Sequence, residues 1–172
     1  MTTLLLVRHG ETDWNAERRW QGHTDVPLNV RGREQAYALA RELAAEPPQA
    51  IYTSDLSRAR ETAEIVGDAL GLPVVADPDL REIDVGSREG LTAEEVGERP
   101  WDGESHEAHG VRVLRAVRRI AERHPGDRVL VVAHGGCLRR VQEDMGAEID
   151  GWFGNCVLWP VAHEAGVFRP ID

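Results

Sequence analysis

Three short segments of the chain combine arginine or histidine with glycine or serine, and each directly follows an apolar run. They are Arg8-His9-Gly10 after Leu4–Val7, Ser54 through Arg58 after Ala50–Thr53, and His134-Gly135-Gly136 after Val129–Ala133. An arginine fork binds the oxygens of a phosphoryl group in bidentate fashion, and a neutral imidazole can attack phosphorus to form a phosphohistidine. Glycine beside each histidine lets the backbone turn sharply and approach a ligand closely. These residue types therefore predict a site for a phosphoryl group.

The three segments can form one site only if the fold brings the ends of their strands together. Short β-branched runs alternate along the chain with amphipathic helical stretches, which is typical of an α/β fold. We expect a three-layer sandwich with a mostly parallel central sheet flanked by helices. Parallel strands end at a common carboxyl edge, where open α/β folds place ligands and helix N-termini favour anions. Arg8, His9, Arg58 and His134 would converge there.

The same patterns predict the remaining elements. A helix is expected from Leu28-Asn29 to Pro47-Pro48, and a second begins after Ser54, which can cap it, and ends at Gly71. The others are a short strand at Val74–Ala76, a helix with Val111, Leu114, Val117, Ile120 and Ala121 inward, a helix after His134 to about Met145, and edge strands at Val157–Pro160 and Val167–Arg169.

Each candidate residue also has a purely structural interpretation. Arg58 could pair with Asp55 or Glu61 on the surface, and either histidine could be a partly buried ring bonded to backbone. A cation in the first turn of a helix opposes the helix dipole at a cost of up to about 1 kcal/mol, which a bound anion would offset. Convergence of two arginines and two histidines at one edge favours the functional interpretation.

Composition limits the classes of function. The 172 residues are 41% hydrophobic and 29% charged, as expected for a single domain spanning 1–172. All 20 basic residues are arginine, which excludes P-loop ATPases and enzymes that act through a Schiff-base lysine. A net charge of −10 argues against a nucleic-acid partner. Neither a secretory leader nor a membrane span is evident, and Cys137 and Cys156 form no disulfide framework, so we expect a cytoplasmic protein with no membrane partner.

The charge is unevenly distributed along the chain. Residues 77–107 carry 11 acids against 3 arginines, whereas residues 108–140 carry 8 arginines against 2 acids. A cationic site can therefore lie inside an acidic protein. We expect the arginine-rich face of the 111–123 helix to be solvated surface.

Longer motifs around these segments resemble the histidine phosphatase superfamily, also called the phosphoglycerate mutase-like family. The first block runs from Leu5-Leu6-Val7-Arg8-His9-Gly10-Glu11-Thr12-Asp13-Trp14 to Asn15, followed by Arg19, Gln21-Gly22, Asp25, Pro27-Leu28 and Gly32. The later blocks are Ser54-Asp55-Leu56-Ser57-Arg58-Ala59-Arg60-Glu61-Thr62-Ala63, Leu80-Arg81-Glu82, Gly103-Glu104-Ser105 and Ala133-His134-Gly135-Gly136. Five blocks in family order, across nearly the whole chain, make the resemblance specific.

The resemblance implies a role for each residue at the predicted edge. By similarity, His9 is the nucleophile that becomes transiently phosphorylated, and Arg8, Arg58 and His134 bind the transferring phosphoryl group. Phosphoryl transfer passes through a loose, anionic transition state, so positioning and fixed positive charge supply most of the catalysis. Two arginines and two imidazoles can do this without a metal, and we expect no cofactor.

Four more residues acquire roles through the resemblance. Asn15, Gln21 and Gly22 match positions that contact the phosphate or the rest of the substrate. Glu82 matches the general acid and base, which protonates the leaving alcohol and then activates water. Without the family pattern, Glu82 is one acid among 11 in its stretch.

The segment after Glu82, about 83–107, matches the lid over the substrate and is short and acidic here. Only 51 residues separate Glu82 from His134, and Ile83-Asp84-Val85-Gly86 lacks the basic, aromatic-containing sequence that the mutases carry after the acid. A short lid admits water to the phosphohistidine and holds a second phosphate poorly. The resemblance therefore favours a metal-independent phosphomonoesterase for a small phosphorylated metabolite. Arg88 stands where many phosphatases of the family carry an aromatic residue.

Two alternatives remain open: a phosphoglycerate mutase dependent on 2,3-bisphosphoglycerate, and a non-catalytic member that binds phospholigands. His106 and His109, three apart, could clip a metal on a helix face, but no third ligand is assigned and we expect no metal site. The short lid and the apolar Trp152-Phe153 are compatible with a monomer or a homodimer.

Overall fold

A computed structural model describes residues 1–147 and 151–171, which form a six-stranded sheet with helices on both faces. The strands are β1 (Thr2–Arg8), β2 (Ala50–Thr53), β3 (Val74–Ala76), β4 (Arg128–Ala133), β5 (Leu158–Glu164) and β6 (Val167–Pro170). The helices are α1 (Asp13–Ala16), α2 (Val30–Leu43), α3 (Ser57–Leu70), α4 (Ala93–Val96), α5 (His106–Arg123) and α6 (Gly135–Asp144). Two 3-10 turns lie at Pro78–Leu80 and Gly86–Arg88.

The sheet order is β3-β2-β4-β1-β5-β6, and the first four of these strands run parallel. Strand β5 runs antiparallel to β1, and β6 runs antiparallel to β5. Val132 of β4 is paired with both Val7 and Thr53, so β1, β4 and β2 end at one level. The predicted α/β sandwich is confirmed, and the three polar segments follow three neighbouring strands.

The hydrophobic core has one layer on each face of the sheet. Leu4 and Leu6 of β1 pack with residues of α5 and α6, whereas Leu5 and Val7 pack with residues of α2 and α3. Successive side chains of a strand point to opposite faces, so a strand that is apolar throughout needs a hydrophobic layer on both sides. All four side chains are at most 3% exposed. The rigid layers fix the level at which Arg8 and His9 leave the sheet.

Two predicted elements differ in the structure. Strand β5 is longer than predicted and lies inside the sheet between β1 and β6, so of the two predicted edge strands only β6 lies at an edge. Helix α5 begins at His106, and its buried stripe consists of His109, Val113, Ala116, Val117, Ile120 and Ala121. Val111 is 61% exposed, contrary to prediction, because two alanines and a histidine on the true inward face carry a weak apolar signal. Among the described residues, no helix is long and apolar enough to cross a membrane.

The acidic segment, residues 77–107, forms ion pairs with the arginine-rich segment, residues 108–140. Arg112 of α5 donates to Glu104 at 2.7 Å, and Arg119 donates to Asp77 at 2.6 Å. Both arginine side chains are largely covered, at 19% and 34% exposure. We predicted that the arginine-rich face of α5 is solvated surface, and the structure differs from this prediction. Part of the face pairs with the acidic segment and holds it in place.

The regular structure in the predicted lid segment, 83–107, consists of the Gly86–Arg88 turn, the four-residue α4 and the first two residues of α5. Its Arg88 guanidinium lies 5.0 Å from the Trp101 ring and 6.0 Å from the Trp20 ring, measured to the centroids. Cation–π contacts of this kind replace the packing of an aromatic side chain at that position. Arg88 thus joins the lid to the loop that follows α1.

Candidate active site at the carboxyl edge of the sheet

The carboxyl ends of β1, β2 and β4 bring the predicted cationic residues together. Arg8 is the last residue of β1 and His9 follows it, whereas His134 directly follows β4. The ring centroids of His9 and His134 are 5.2 Å apart, with the two planes inclined at 60°. Arg58 lies in the first turn of α3, just beyond β2, and is 1% exposed. The convergence predicted from the sequence is confirmed for these four residues.

His9 is held as a neutral ring with one nitrogen available for attack. Its Nδ1 lies 2.7 Å from the Gly10 carbonyl oxygen, and since a carbonyl only accepts, Nδ1 carries the proton. The lone pair is then on Nε2. Burial lowers the pKa of His9 well below its usual value, and the charges of Arg58 and Arg8 lower it further. Asn155 Nδ2 donates to the His9 carbonyl at 2.7 Å and fixes the backbone.

His134 is wholly buried and bonded at one nitrogen only. Its Nε2 lies 2.8 Å from the Ser54 hydroxyl, whereas its Nδ1 has no hydrogen-bond partner in the described part of the chain. Burial lowers the pKa of His134 well below its usual value, with the charge of Arg58 as the next cause. Ser54, which the sequence predicts as a helix cap, instead contacts this ring; α3 has Leu56 at its N-cap position and no side-chain cap.

Arg58 is bound by carbonyl oxygens rather than by acids. Its two terminal nitrogens donate to Thr24 O and Gly22 O, each at 2.9 Å. The surface pairing that the sequence left open is wrong, because Asp55 pairs with Arg81 and Glu61 pairs with Arg33. Burial lowers the pKa of Arg58, although the charge of Glu82 opposes this shift. The buried guanidinium thus bonds no carboxylate among the described residues, and the Glu82 and Asp25 charges act on it from a distance.

Arg8 shows the same shortage of partners. One terminal nitrogen donates to Phe153 O at 3.0 Å, and burial lowers the Arg8 pKa, again opposed by the charge of Glu82. The Nε atoms of Arg8 and Arg58 and the Nδ1 atom of His134 are all buried without a hydrogen-bond partner among the residues described. Unbonded donors beside two guanidinium groups suit an anionic ligand.

Glu82 lies at the rim of this cluster. Its Oε1 accepts from its neighbour Ile83 N at 2.9 Å, and its Oε2 accepts from Gly136 N at 3.0 Å. A Cβ atom at position 136 would overlap Glu82 Oε1, so the second glycine after His134 makes room for the carboxylate. The Glu82 side chain is 18% exposed. A carboxylate in this place can exchange protons with both a bound group and solvent.

The three residues that resemblance placed near the substrate lie in α1, which holds Asn15, and in the loop that follows it, which holds Gln21 and Gly22. Asn15 Oδ1 accepts from Thr12 N at 3.1 Å, and Gln21 Oε1 accepts from the Thr12 hydroxyl at 2.7 Å. With both amide oxygens bonded, the NH₂ groups are the ends of the two side chains that can donate to an anion. Gly22 contributes its carbonyl to Arg58 and has φ +52°, a backbone conformation that favours glycine. The structure thus shows Gly22 in contact with the arginine through its carbonyl oxygen.

Three residues that were not predicted from the sequence form hydrogen bonds to members of this cluster. Thr62 accepts from Gly10 N at 3.0 Å, Asn155 fixes the His9 carbonyl, and Ser54 bonds His134.

His109 Nε2 lies 3.9 Å from Glu82 Oε1 and is 1% exposed, whereas His106 is exposed and stacks on Trp101. The two histidines therefore do not share a metal on one helix face. His109 is four residues before Val113 on the buried stripe, which is the signal that could have located it.

Comparison with known proteins gives consistent results. Residues 4–153 match the family model described as the Histidine phosphatase superfamily (branch 1). The chain is 41% identical over 159 residues to Phosphoglycerate mutase-like protein 4 of Arabidopsis thaliana, which covers 81% of this chain and 69% of that protein. It is also 41% identical over 160 residues to the Metal-independent phosphoserine phosphatase of that plant, covering 82% and 67%. The solved structure of Bacillus stearothermophilus YhfR has a TM-score of 0.90 at 36% identity, covering 99% of this chain and 95% of that one.

Proposed function

The chain belongs to the histidine phosphatase superfamily, and we propose that it hydrolyses small phosphate monoesters without a metal, through a phosphohistidine formed on His9. The observation that carries this proposal is the geometry at His9. A neutral imidazole, whose Nδ1–H donates to Gly10 O, presents Nε2 beside buried donors that have no hydrogen-bond partner among the described residues. Nucleophile and anion receptor are thus already in place.

In the first half-reaction, the lone pair of His9 Nε2 attacks phosphorus and the bond from phosphorus to the ester oxygen breaks. Arg8, Arg58 and His134 bind the oxygens on which negative charge accumulates. Glu82, in its protonated form, gives its proton to the leaving alcohol. Asn15 and Gln21 donate amide hydrogens to the phosphoryl oxygens or to the rest of the substrate.

In the second half-reaction, the Glu82 carboxylate removes a proton from water as the water oxygen attacks phosphorus. The bond between Nε2 and phosphorus breaks, phosphate leaves, and the lone pair returns to Nε2. Glu82 ends in the protonated form in which it began. Fixed positive charge from Arg8 and Arg58 serves the purpose that a divalent metal serves in other phosphoryl-transfer enzymes.

Hydrolysis is favoured over transfer to a second acceptor by the lid. Residues 83–107 contain two short helical turns, the start of α5 and several acids, such as Glu104 and Glu95, that pair with arginine. Such a segment offers little to retain a second phosphate, and one relative of 41% identity is named a metal-independent phosphoserine phosphatase. The alternative, a 2,3-bisphosphoglycerate-dependent phosphoglycerate mutase, has support from the name of the other plant relative.

We infer that the substrate is a small phosphorylated metabolite in the cytoplasm, and that neither nucleic acid nor membrane is a partner. The protein has a net charge of −10 although its site is cationic, and this charge disfavours binding of polymeric phosphates. Cys137 and Cys156 are both free thiols, as expected in a reducing compartment. We expect the active protein to be a monomer or a homodimer, because the short lid and the Trp152 side chain, 83% exposed, are compatible with both.

Rapid quench with a phosphate ester labelled at phosphorus tests the proposal. Acid-labile, base-stable label should appear on the wild-type protein and vanish in His9→Ala, together with hydrolysis of p-nitrophenyl phosphate. His106→Ala, which alters an exposed histidine, is the matched control and should behave as wild type. Hydrolysis that required an added divalent metal would contradict the proposal. Conversion of 3-phosphoglycerate to 2-phosphoglycerate faster than phosphate release would establish the mutase.

A further inference from the structure

A second set of reactive side chains lies directly against Glu82. His109 Nε2 is 3.9 Å from Glu82 Oε1 and 3.8 Å from Cys137 Sγ, and the ligand atoms of all three residues lie within 4.8 Å of one another. His109 and Cys137 are 1% and 2% exposed, and neither takes part in the mechanism above. Two buried side chains and one partly exposed carboxylate, each of different chemistry, therefore lie close together.

The three donors define which ion would fit between them. Thiolate and imidazole are ligands of zinc, whereas Mg²⁺ and Ca²⁺ prefer oxygen alone. Zinc bonds of about 2.0–2.3 Å in a tetrahedron place ligand atoms about 3.3–3.8 Å apart. The two distances from His109 Nε2, 3.9 and 3.8 Å, are close to those edges. The third distance, between Glu82 and Cys137, is at most 4.8 Å, so closing the third edge requires these two atoms to approach by at most about 1.5 Å.

We propose that Glu82, His109 and Cys137 form a Zn²⁺ site and that the bound ion inhibits the enzyme. The inhibitory part rests on the proposed function, because a carboxylate held by zinc can neither donate a proton to the leaving alcohol nor accept one from water. Glu82 is the partly exposed member, so an ion reaches the other two ligands past it. The fourth position is left for water or a phosphate oxygen.

Binding changes the contacts of Cys137 in a defined way. The thiol now donates to Leu80 O and Arg81 O, at 3.3 Å each. When the bond from sulfur to zinc forms, the thiol proton passes to solvent and both hydrogen bonds are lost. The nearby positive charges of Arg8, Arg58 and Arg112 repel a cation bound at this site. These costs make the site reversible rather than a structural zinc site.

Cobalt spectroscopy on the full chain tests the site independently of activity. Co²⁺ added to the wild type should produce the near-ultraviolet band of thiolate-to-Co²⁺ charge transfer, saturating at one equivalent and removed by Zn²⁺. Cys137→Ser and His109→Gln, each close in size to the original residue, should abolish or strongly weaken the band. Cys156→Ser and His106→Gln alter the same residue types elsewhere and should retain it. A wild type without the band, or a band that survives Cys137→Ser, overturns the site.

Zinc inhibition of p-nitrophenyl phosphate hydrolysis tests the consequence. The concentration of Zn²⁺ for half-inhibition should rise at least about tenfold in Cys137→Ser and His109→Gln, as expected when a ligand is lost, and stay unchanged in the two controls. Inhibition equally strong in all variants would place zinc on other residues and overturn the proposal. A cobalt band in a protein without hydrolytic activity would support the metal site and contradict only the proposed function. Chelator should restore wild-type activity.

Discussion

The Ser54 hydroxyl lies 2.8 Å from Nε2 of His134, and both side chains are fully buried. The same hydroxyl oxygen accepts from Leu56 N at 3.3 Å, which leaves its own proton free to donate to the imidazole. When the hydroxyl donates to Nε2, the neutral ring carries its hydrogen on Nδ1, the nitrogen without a partner in the described residues. The residue that follows β2 can thus hold the ring after β4 in the tautomer that offers a hydrogen to a phosphoryl oxygen.

Ser54→Ala should lower kcat/KM for p-nitrophenyl phosphate by about tenfold, which corresponds to the loss of one buried hydrogen bond worth about 1.4 kcal/mol. The ring remains but loses its preferred tautomer and orientation, so the effect should be smaller than that of His134→Ala. Ser87→Ala, at an exposed serine in the lid, is the control. Steady-state kinetics on the three variants decide the point, and unchanged kinetics in Ser54→Ala would contradict the role given to the hydroxyl.

Arg58→Lys should reduce kcat/KM by about 10²- to 10³-fold, the effect of losing an oriented donor to transition-state charge. The lysine side chain is shorter, so its ammonium group cannot bond Gly22 O, Thr24 O and a phosphoryl oxygen at the same time. The planar guanidinium of arginine can. Inhibition by inorganic phosphate should weaken as well. Arg60→Lys, two positions along α3 where the arginine pairs with Glu64 on the surface, should leave both quantities unchanged. Equal losses in the two variants would point to helix stability instead.

The cationic part of the site could be predicted from the sequence because its signals are local. Each strand that ends in it is apolar and buried, and the polar residue that follows must lie at the sheet edge. The pairing of neighbouring strands then places Arg8, His9 and His134 together without any knowledge of loops. Arg58 follows for the same reason, since its helix starts at the end of β2.

Glu82 could not be found this way because contacts from distant segments fix its position. Arg112 donates to the carbonyls of Asp79 and Arg81, at 2.9 and 3.0 Å, and so holds the backbone before the acid. His23 Nε2 lies 2.8 Å from the Glu82 carbonyl oxygen. Such bonds join residues 31 to 59 positions apart and leave no periodic trace. Only the family resemblance identified this residue.

Gly136→Ala should impair protonation of the leaving group selectively. The added methyl group would overlap Glu82 Oε1 and push the carboxyl group away from the Gly136 amide that now holds it. We expect kcat/KM to fall by about 10²-fold for an alkyl phosphate, the scale of general acid catalysis, and much less for p-nitrophenyl phosphate, whose leaving group needs no proton.

Gly135→Ala is the matched control for this experiment. A Cβ atom there would lie no closer than 3.7 Å to Arg8, which is ordinary van der Waals contact. Both substrates should therefore be hydrolysed as by wild type. If Gly136→Ala slowed both substrates equally, the overlap would act through the phosphate-binding residues and not through Glu82.

Acid should destabilise the protein through its buried histidines. Burial and two guanidinium groups lower the pKa of His9 well below 6.5 in the folded state, whereas the unfolded chain titrates near the ordinary value. Below about pH 6.5 the unfolded state therefore binds more protons, and the free energy of unfolding falls by up to about 1.4 kcal/mol per pH unit for this histidine. The contribution of His9 to the free energy of unfolding is constant above that pH.

Urea unfolding of the wild type and His9→Gln at about pH 7.5 and about pH 5.5 measures the effect, because the fall in the free energy of unfolding should be smaller in the variant. Equal falls in the two proteins would show that His9 is not kept neutral by the fold.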